Sequence, residues 1–163
     1  MTAPAALSGD HEDPSGRYAV VVSRFNDEVT TGLLRGALDA LAESGVDAGR
    51  IAVIHVPGAF EIPLAARRLG TAGLHDAVIC LGCLIKGDTM HFEYIAEAAT
   101  HGIAKAAAET GVPMTFGVLT TLTDEQALAR SRPGPDNKGR EAALAAVEMV
   151  TLLRKLPAAR DAR

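Results

Sequence analysis

A histidine lies close to a run of glycine, aspartate and threonine in the middle of the chain. The run Gly87-Asp88-Thr89 follows a long apolar segment, and His91 comes two residues later, where a helical pattern begins. The free backbone N–H groups and partial positive charge of a helix N-terminus favour an anion such as a phosphate. A histidine beside that anion can exchange protons near neutral pH, because its unperturbed pKa is about 6.5. These residues predict an anion site beside a histidine that is either a proton carrier or, as lone histidines more often are, a structural residue.

The same segment matches a nucleotide-binding P-loop from Gly82 to Thr89 except at one position. Asp88 stands where such a loop has a lysine, and a carboxylate there would repel the phosphates that the lysine neutralises. We therefore expect this loop to bind a single phosphate and not to hydrolyse a nucleotide.

Two of the four phenylalanines, Phe25 and Phe60, each come just after a predicted strand. Aromatic side chains at neighbouring loops can form a stacking face for a planar ring. They can equally plug the ends of the hydrophobic core, and composition favours neither interpretation.

Alternating strands and helices must position these residues. Short apolar runs predict strands over 18–22, 51–56, 77–85 and 114–121. Helical spacing and capping signals predict helices over 26–45, 59–69, 91–110, 123–131 and 137–156. Asn26 is expected to cap the first helix, and the last helix is expected to point Leu144, Val147, Val150 and Leu153 inward.

Strands that are apolar on both faces and alternate with helices are typical of a parallel sheet covered on both sides. We predict an α/β fold with three layers, a doubly wound four-stranded parallel sheet with helices on both faces. Ligands of such sheets bind beyond the carboxyl ends of the strands. Residues 1–16 read as an N-terminal arm without order of its own, 17–156 as a single domain and 157–163 as a tail.

Composition narrows the range of partners. The chain has 163 residues, 48% of them hydrophobic, and a net charge of −4. It lacks the basic stripe that nucleic-acid binding requires and the roughly 20-residue apolar run of a membrane span. We expect neither nucleic acid nor membrane as a partner, and a cytoplasmic location because no secretory leader is evident.

The two cysteines, Cys80 and Cys83, lie inside an apolar strand pattern. A zinc site needs about four ligands, and a redox pair normally opens a helix. Residues three apart on a strand point to opposite faces of the sheet. Two buried thiols, with no metal, are the expected result.

Five segments at consistent spacing together resemble one family, the 6,7-dimethyl-8-ribityllumazine synthases of riboflavin biosynthesis. The match runs in order from about Arg17 to Leu156, which is nearly the whole chain. The segments are Arg24-Phe25-Asn26, Val56-Pro57-Gly58-Ala59-Phe60-Glu61-Ile62-Pro63, Gly87-Asp88-Thr89-Met90-His91-Phe92-Glu93-Tyr94, Gly117-Val118-Leu119-Thr120-Thr121 and Asn137-Lys138-Gly139.

The resemblance implies a flavodoxin-like fold and a transferase without cofactors. Its two small-molecule substrates would be 5-amino-6-ribitylaminouracil and 3,4-dihydroxy-2-butanone 4-phosphate, condensed to the lumazine with release of phosphate and water. By motif, His91 would be the catalytic acid and base, and Gly87, Asp88, Thr89 and Arg130 would bind phosphate. The pyrimidine and its ribityl chain would be held by Phe25, Asn26, Ala59, Phe60, Glu61, Cys83, Leu84, Ile85, Phe116 and Lys138.

The family's site lies between subunits, so the resemblance also implies that Phe116, Arg130 and Lys138 serve a neighbour. Glu141, one turn beyond Lys138, is expected to orient His91. Members form pentamers, and some pack twelve pentamers into an icosahedral shell. The resemblance also implies riboflavin synthase as a partner. Lys86 departs from the arginine more usual there, and lysine keeps the charge without the bidentate geometry.

Two other functions stay open at this point. An archaeal-type riboflavin synthase shares the fold and would dismutate two lumazines. A non-catalytic protein that binds lumazine or flavin, or only forms a shell, would bind without turnover.

Overall fold

The computed structural model describes residues 3–158 and contains four strands and five α-helices in that range. Residues 1–2 of the predicted N-terminal arm and residues 159–163 of the predicted C-terminal tail lie outside the described residues. The strands are β1 (Tyr18–Ser23), β2 (Ile51–Val56), β3 (Ala77–Ile85) and β4 (Met114–Thr121). The α-helices are α1 (Asp27–Glu43), α2 (Ile62–Ala72), α3 (His91–Thr110), α4 (Asp124–Ser131) and α5 (Lys138–Lys155).

All four strands are parallel, and their order across the sheet is β2-β1-β3-β4. The chain therefore starts at the centre, moves to one edge with β2, and returns past β1 to build the other half. Loops diverge where the winding reverses, between β1 and β3, and this leaves a crevice at the carboxyl ends of these strands. The predicted parallel sheet is confirmed.

Helices cover both faces of the sheet and form two separate cores. Helices α1, α4 and α5 bury their apolar sides on one face, and α2 and α3 bury theirs on the other. Cys83 belongs to the first core and Cys80 to the second, and both thiols are free and buried. The predicted three-layer arrangement and the predicted opposite orientation of the cysteines are confirmed.

Helices α1 and α5 approach closely around one buried asparagine. The Asn137 side chain accepts the Gly139 N–H at 2.9 Å and donates to the carbonyl oxygens of Gly32 and Ser131 at 3.1 and 2.9 Å. A Cβ atom at Gly139 would lie 1.9 Å from the Leu33 carbonyl oxygen. Asn137 thus caps α5 and ties it to α1, while Gly139 permits the contact.

Some details differ from the sequence predictions. The helix predicted from residue 59 starts as a 3-10 turn, Ala59–Glu61, and becomes α-helical at Ile62. The inward face of α5 consists of alanines with Val147 and Val150, whereas Leu153 is exposed and Leu144 is half-buried. Leu144 still packs against the first core, as predicted. The prediction for Leu153 is wrong, because the contact of α5 with α1 falls on the smaller side chains.

Residues 8–13 of the N-terminal arm lie along the end of α5. The backbone of Asp10 and the hydroxyl of Thr151 exchange hydrogen bonds of 2.7 and 3.0 Å. The buried carboxylate of Asp13 accepts from Arg154 and from the Tyr18 hydroxyl, each at 2.7 Å. The arm has no order of its own and is held by contacts outside itself, and these partners belong to the same chain.

Candidate active site

A cavity of about 740 Å³ opens at the carboxyl ends of β1, β2 and β3. We call it the ligand cavity. It lies at the reversal point of the sheet, where a ligand was expected. Its lining residues are Phe25, Asn26, Pro57, Gly58, Ala59, Phe60, Glu61, Cys83, Leu84, Ile85, Gly87, Thr89, His91, Phe92, Tyr94 and Ile95.

Three hydrogen bonds fix the loop after β1 at the mouth of the ligand cavity. The backbone N–H groups of Arg24 and Phe25 donate to the carbonyls of Val56 and Pro57 at 2.9 and 3.2 Å. The Asn26 side-chain amide donates to the Cys83 carbonyl at 2.9 Å.

Asn26 occupies the predicted N-cap position of α1, but the expectation that its side chain caps the helix is wrong. Its side chain makes no capping hydrogen bond, and its backbone is left-handed with φ 59°. Asparagine tolerates that conformation better than most residues. The side chain is directed to β3 instead, so that it holds the loop of the first strand to the third.

Phe25 and Phe60 stand out from the surface, with 70% and 60% of each residue exposed. The interpretation that they plug the core is therefore wrong. Tyr94, 67% exposed, joins them on the wall of the ligand cavity and was not anticipated. Its position one turn after His91 on α3 is the signal in the sequence that could have identified it.

The loop after β2 contains its own polar contact. The Glu61 carboxylate accepts the Gly58 N–H at 2.9 Å, across the 3-10 turn that follows β2. Ala59 is buried beneath this turn, while Phe60 and Glu61 face outward. The bond engages one carboxylate oxygen and holds the turn at the cavity wall.

The loop between β3 and α3 ends at a helix N-terminus without a side-chain cap. Helix α3 begins at His91, and Met90 at its N-cap offers no capping hydrogen bond. Within the described chain the backbone N–H groups of Gly87, Asp88 and Thr89 donate to no other group. Gly87, Thr89 and His91 line the ligand cavity, whereas Asp88 does not. The unpaired N–H groups and the helix dipole make this loop suited to an anion.

The remaining predicted residues lie in a second cleft of about 390 Å³ along the free edge of β4. We call it the edge cleft. It is lined by Phe116, Arg130 and Lys138, and it shares no lining residue with the ligand cavity. Arg130 donates to the Gln126 carbonyl of its own helix at 2.9 Å, which leaves most of its guanidinium free.

Glu141 lines the edge cleft and accepts from Lys138 at 2.5 Å. Within one chain it therefore belongs to the cleft opposite the cavity that contains His91. Its predicted role in orienting His91 requires a second chain.

Two further kinds of group bear on the site, clusters of metal-ligating side chains and reactive thiols. Residues 3–158 contain no group of three or more His, Cys, Asp or Glu side chains suited to a metal ion. Burial raises the pKa of Cys80 to about 12, and burial together with the charge of Asp124 raises that of Cys83 to about 11. Neither thiol is ionised at neutral pH. In the same range, no helix is long and apolar enough to cross a membrane.

The fold and the ligand cavity define a class, the doubly wound α/β enzymes whose ligands bind at the reversal point of a parallel sheet. Residues 15–154 match the family model described as 6,7-dimethyl-8-ribityllumazine synthase. A protein of that name from Salinibacter ruber is 50% identical over 153 residues, which cover 94% of this chain and 98% of that protein. The corresponding synthase 1 of Caulobacter vibrioides is 53% identical over 140 residues, 86% and 92% of the two chains.

The chain belongs to the 6,7-dimethyl-8-ribityllumazine synthase family. It is a transferase of riboflavin biosynthesis. The resemblance found in the motifs is thereby confirmed, and the two alternative functions are not favoured.

Proposed function

We propose that this chain condenses 5-amino-6-ribitylaminouracil with 3,4-dihydroxy-2-butanone 4-phosphate in a site shared by two copies of itself. The ligand cavity of one copy would face the edge cleft of the next. The observation that carries this proposal is the division of the motif residues between two clefts of one chain that have no residue in common.

The ligand cavity binds the pyrimidine substrate. The exposed ring of Phe25 stacks on the pyrimidine, and the outward turn at Phe60 and Glu61 holds the ribityl chain. Backbone groups at Ala59 and at the end of β3 complete the contacts, and Asn26 lies beside them. The neighbouring copy adds Phe116 and Lys138. Support comes from the exposure of both phenylalanines and from the fixed loop after β1.

The loop between β3 and α3 binds the phosphate of the second substrate. Unpaired N–H groups at Gly87, Asp88 and Thr89 donate to it, assisted by the dipole of α3. Arg130 of the neighbouring copy adds a bidentate donor. No metal ion is required for this arrangement.

His91 moves the protons. The amine of the pyrimidine attacks the ketone, and loss of water gives a Schiff base. Loss of phosphate and closure of the second ring, with loss of another water, then give the lumazine. Each step needs a proton added or removed beside the phosphate, and His91 lies at that point of the ligand cavity.

Mixing two damaged variants tests the shared site. His91→Ala damages the ligand cavity and Arg130→Ala damages the edge cleft. If neighbours share the site, co-refolded chains place an intact cavity against an intact cleft at about a quarter of random contacts. With the butanone phosphate held well below its KM, we expect lumazine formation above that of either variant alone, measured against the uncatalysed reaction. Activity that never exceeds the sum of the two variants would contradict the shared site.

We also propose pentamers, packed as a shell of sixty copies, in the cytoplasm and with riboflavin synthase as a partner. The support is the family and the short Arg132-to-Asp136 connection between α4 and α5, which resembles shell-forming members. Sedimentation velocity separates pentamer from shell directly.

A further inference from the structure

Lys86 connects β3, β4 and α3 around the loop that precedes His91. Its backbone N–H donates to the carbonyl of Thr121, the last residue of β4, at 2.9 Å. Its Nζ atom lies 3.1 Å from Oε1 of Glu93 in the first turn of α3. The backbone of Lys86 thus links the start of the 87–90 loop to β4. Its side chain links the same point to α3, the helix that follows the loop.

Glu93 occupies the third position of α3, where a glutamate in a capping box would bond back to the N-cap residue. The N-cap is Met90, which has no side-chain acceptor to complete such a box. Glu93 reaches Lys86 instead, and its second oxygen, Oε2, is buried without a hydrogen-bond partner among the described residues. Hydrogen bonds from its own backbone N–H and from Lys86 lower the pKa of Glu93, so that it is ionised at neutral pH.

This carboxylate has opposite effects on the empty loop and on the loop with a bound phosphate. A negative charge in the first turn of a helix stabilises the empty N-terminus. The same charge repels a phosphate bound at that N-terminus, because like charges at short range disfavour each other. The ion pair with Lys86 offsets this charge in the first turn of α3, outside the lining of the ligand cavity.

We propose that Lys86 is a positioning residue for the phosphorylated substrate: its ion pair with Glu93 neutralises the carboxylate beside the phosphate loop and holds that loop against α3. Lys86 acts through Glu93 and does not itself touch the phosphate. The proposal rests on the proposed function, and it assigns a role to Lys86, where the motif departs from the arginine more usual in the family.

Steady-state kinetics with each substrate varied in turn test this role. Lys86→Gln leaves Glu93 unneutralised, and we expect KM for the butanone phosphate to rise about tenfold while KM for the pyrimidine changes less than twofold. Lys86→Arg keeps the charge and should stay within threefold of the parent. The double variant Lys86→Gln/Glu93→Gln removes the repelling charge as well and should recover most of the lost affinity.

Lys105→Gln is the matched control, because Lys105 pairs with Glu109 of the same helix, far along it, at 3.7 Å. It should leave both KM values unchanged. Lys86 and Glu93 side chains are 49% and 35% exposed, and ion pairs this exposed contribute little to folding, so the melting temperature of Lys86→Gln should match that of the control.

Three results would overturn the proposal: an unchanged KM in Lys86→Gln, an equal rise for both substrates, or a double variant as weak as the single one. The last would indicate direct contact between Lys86 and phosphate. An unmodified protein that fails to accelerate lumazine formation over the uncatalysed reaction would instead refute the proposed function, so the two failures are distinct.

Discussion

The two ends of strand β1 differ in whether the nearby polar groups find hydrogen-bond partners within the chain. At its start the Asp13 carboxylate accepts hydrogen bonds from the Tyr18 hydroxyl and the Arg154 guanidinium, and the tyrosine and aspartate are buried. Beyond its other end, the ligand cavity exposes aromatic rings, and the facing loop leaves backbone N–H groups unpaired. Groups that are satisfied within the chain stabilise the fold, whereas groups left free are available to a ligand.

Replacing the histidine of the ligand cavity tests this contrast with the largest expected effect. We expect His91→Ala to lower kcat by about 100-fold, the lower range for loss of a general acid and base. His91 is exposed, so the free energy of unfolding should change by less than about 0.5 kcal/mol. On the same preparation, turnover measures the change in kcat and chemical denaturation measures the change in the free energy of unfolding. A large loss of stability would show that this end also serves the fold.

The opposite result is expected at the start of β1. Asp13→Asn weakens charged hydrogen bonds in a buried site and should lower the free energy of unfolding by about 2 kcal/mol. Turnover per folded chain should be unchanged, because Asp13 lies at the far end of the strand. Leu153→Ala, at an exposed position of α5, serves as the control.

The free energies of unfolding of the parent protein and of Asp13→Asn should become more similar in acid. Burial alone would raise the pKa of Asp13, but hydrogen bonds from Arg154, Tyr18 and Ser15 and the charge of Arg154 outweigh it and lower the pKa. A lowered pKa gives stability that is present above the ordinary value of 3.8 and is lost as pH falls through the folded-state value. The gap between parent and Asp13→Asn should therefore narrow below about pH 4. A gap that is constant with pH would contradict this assignment.

The smallest of the expected effects are changes in KM that separate the part of the site that binds phosphate from the part that binds the pyrimidine. Arg130→Ala should raise KM for the butanone phosphate about tenfold and leave the pyrimidine almost unaffected, because a charged hydrogen bond to phosphate is lost. Phe25→Ala should do the reverse through loss of stacking. Initial rates with one substrate saturating measure each KM. Equal effects on both substrates would contradict the separate roles.

Regular elements could be predicted from the sequence because local patterns determine them. The predicted limits of β3, α3 and β4 agree with the structure residue for residue, since apolar runs and helical spacing are uninterrupted there. Prediction failed where a distant contact decides the outcome. Leu153 fits the helical period of α5, but which side of that period is buried depends on α1.

The site could be predicted in part. The residues of the ligand cavity follow strands and fall at the expected edge of the sheet. Phe116 lies early in β4, away from that edge, which the sequence already indicates. Nothing in the spacing separates Arg130 and Lys138 from the cavity residues; only the family resemblance does. The contacts of Asn26 with Cys83 and of Lys86 with Glu93 join residues whose pairing depends on loop geometry, which no local pattern encodes.

The two buried thiols have a practical consequence for experiments. The chain has two cysteines, and both are enclosed in the cores on either side of β3 with raised pKa values. The thiolate is the form that attacks an alkylating reagent, so the folded protein offers almost no background to maleimide chemistry. A single cysteine introduced at an exposed position such as Leu74 would therefore carry a fluorophore at one known place, without removing either native thiol.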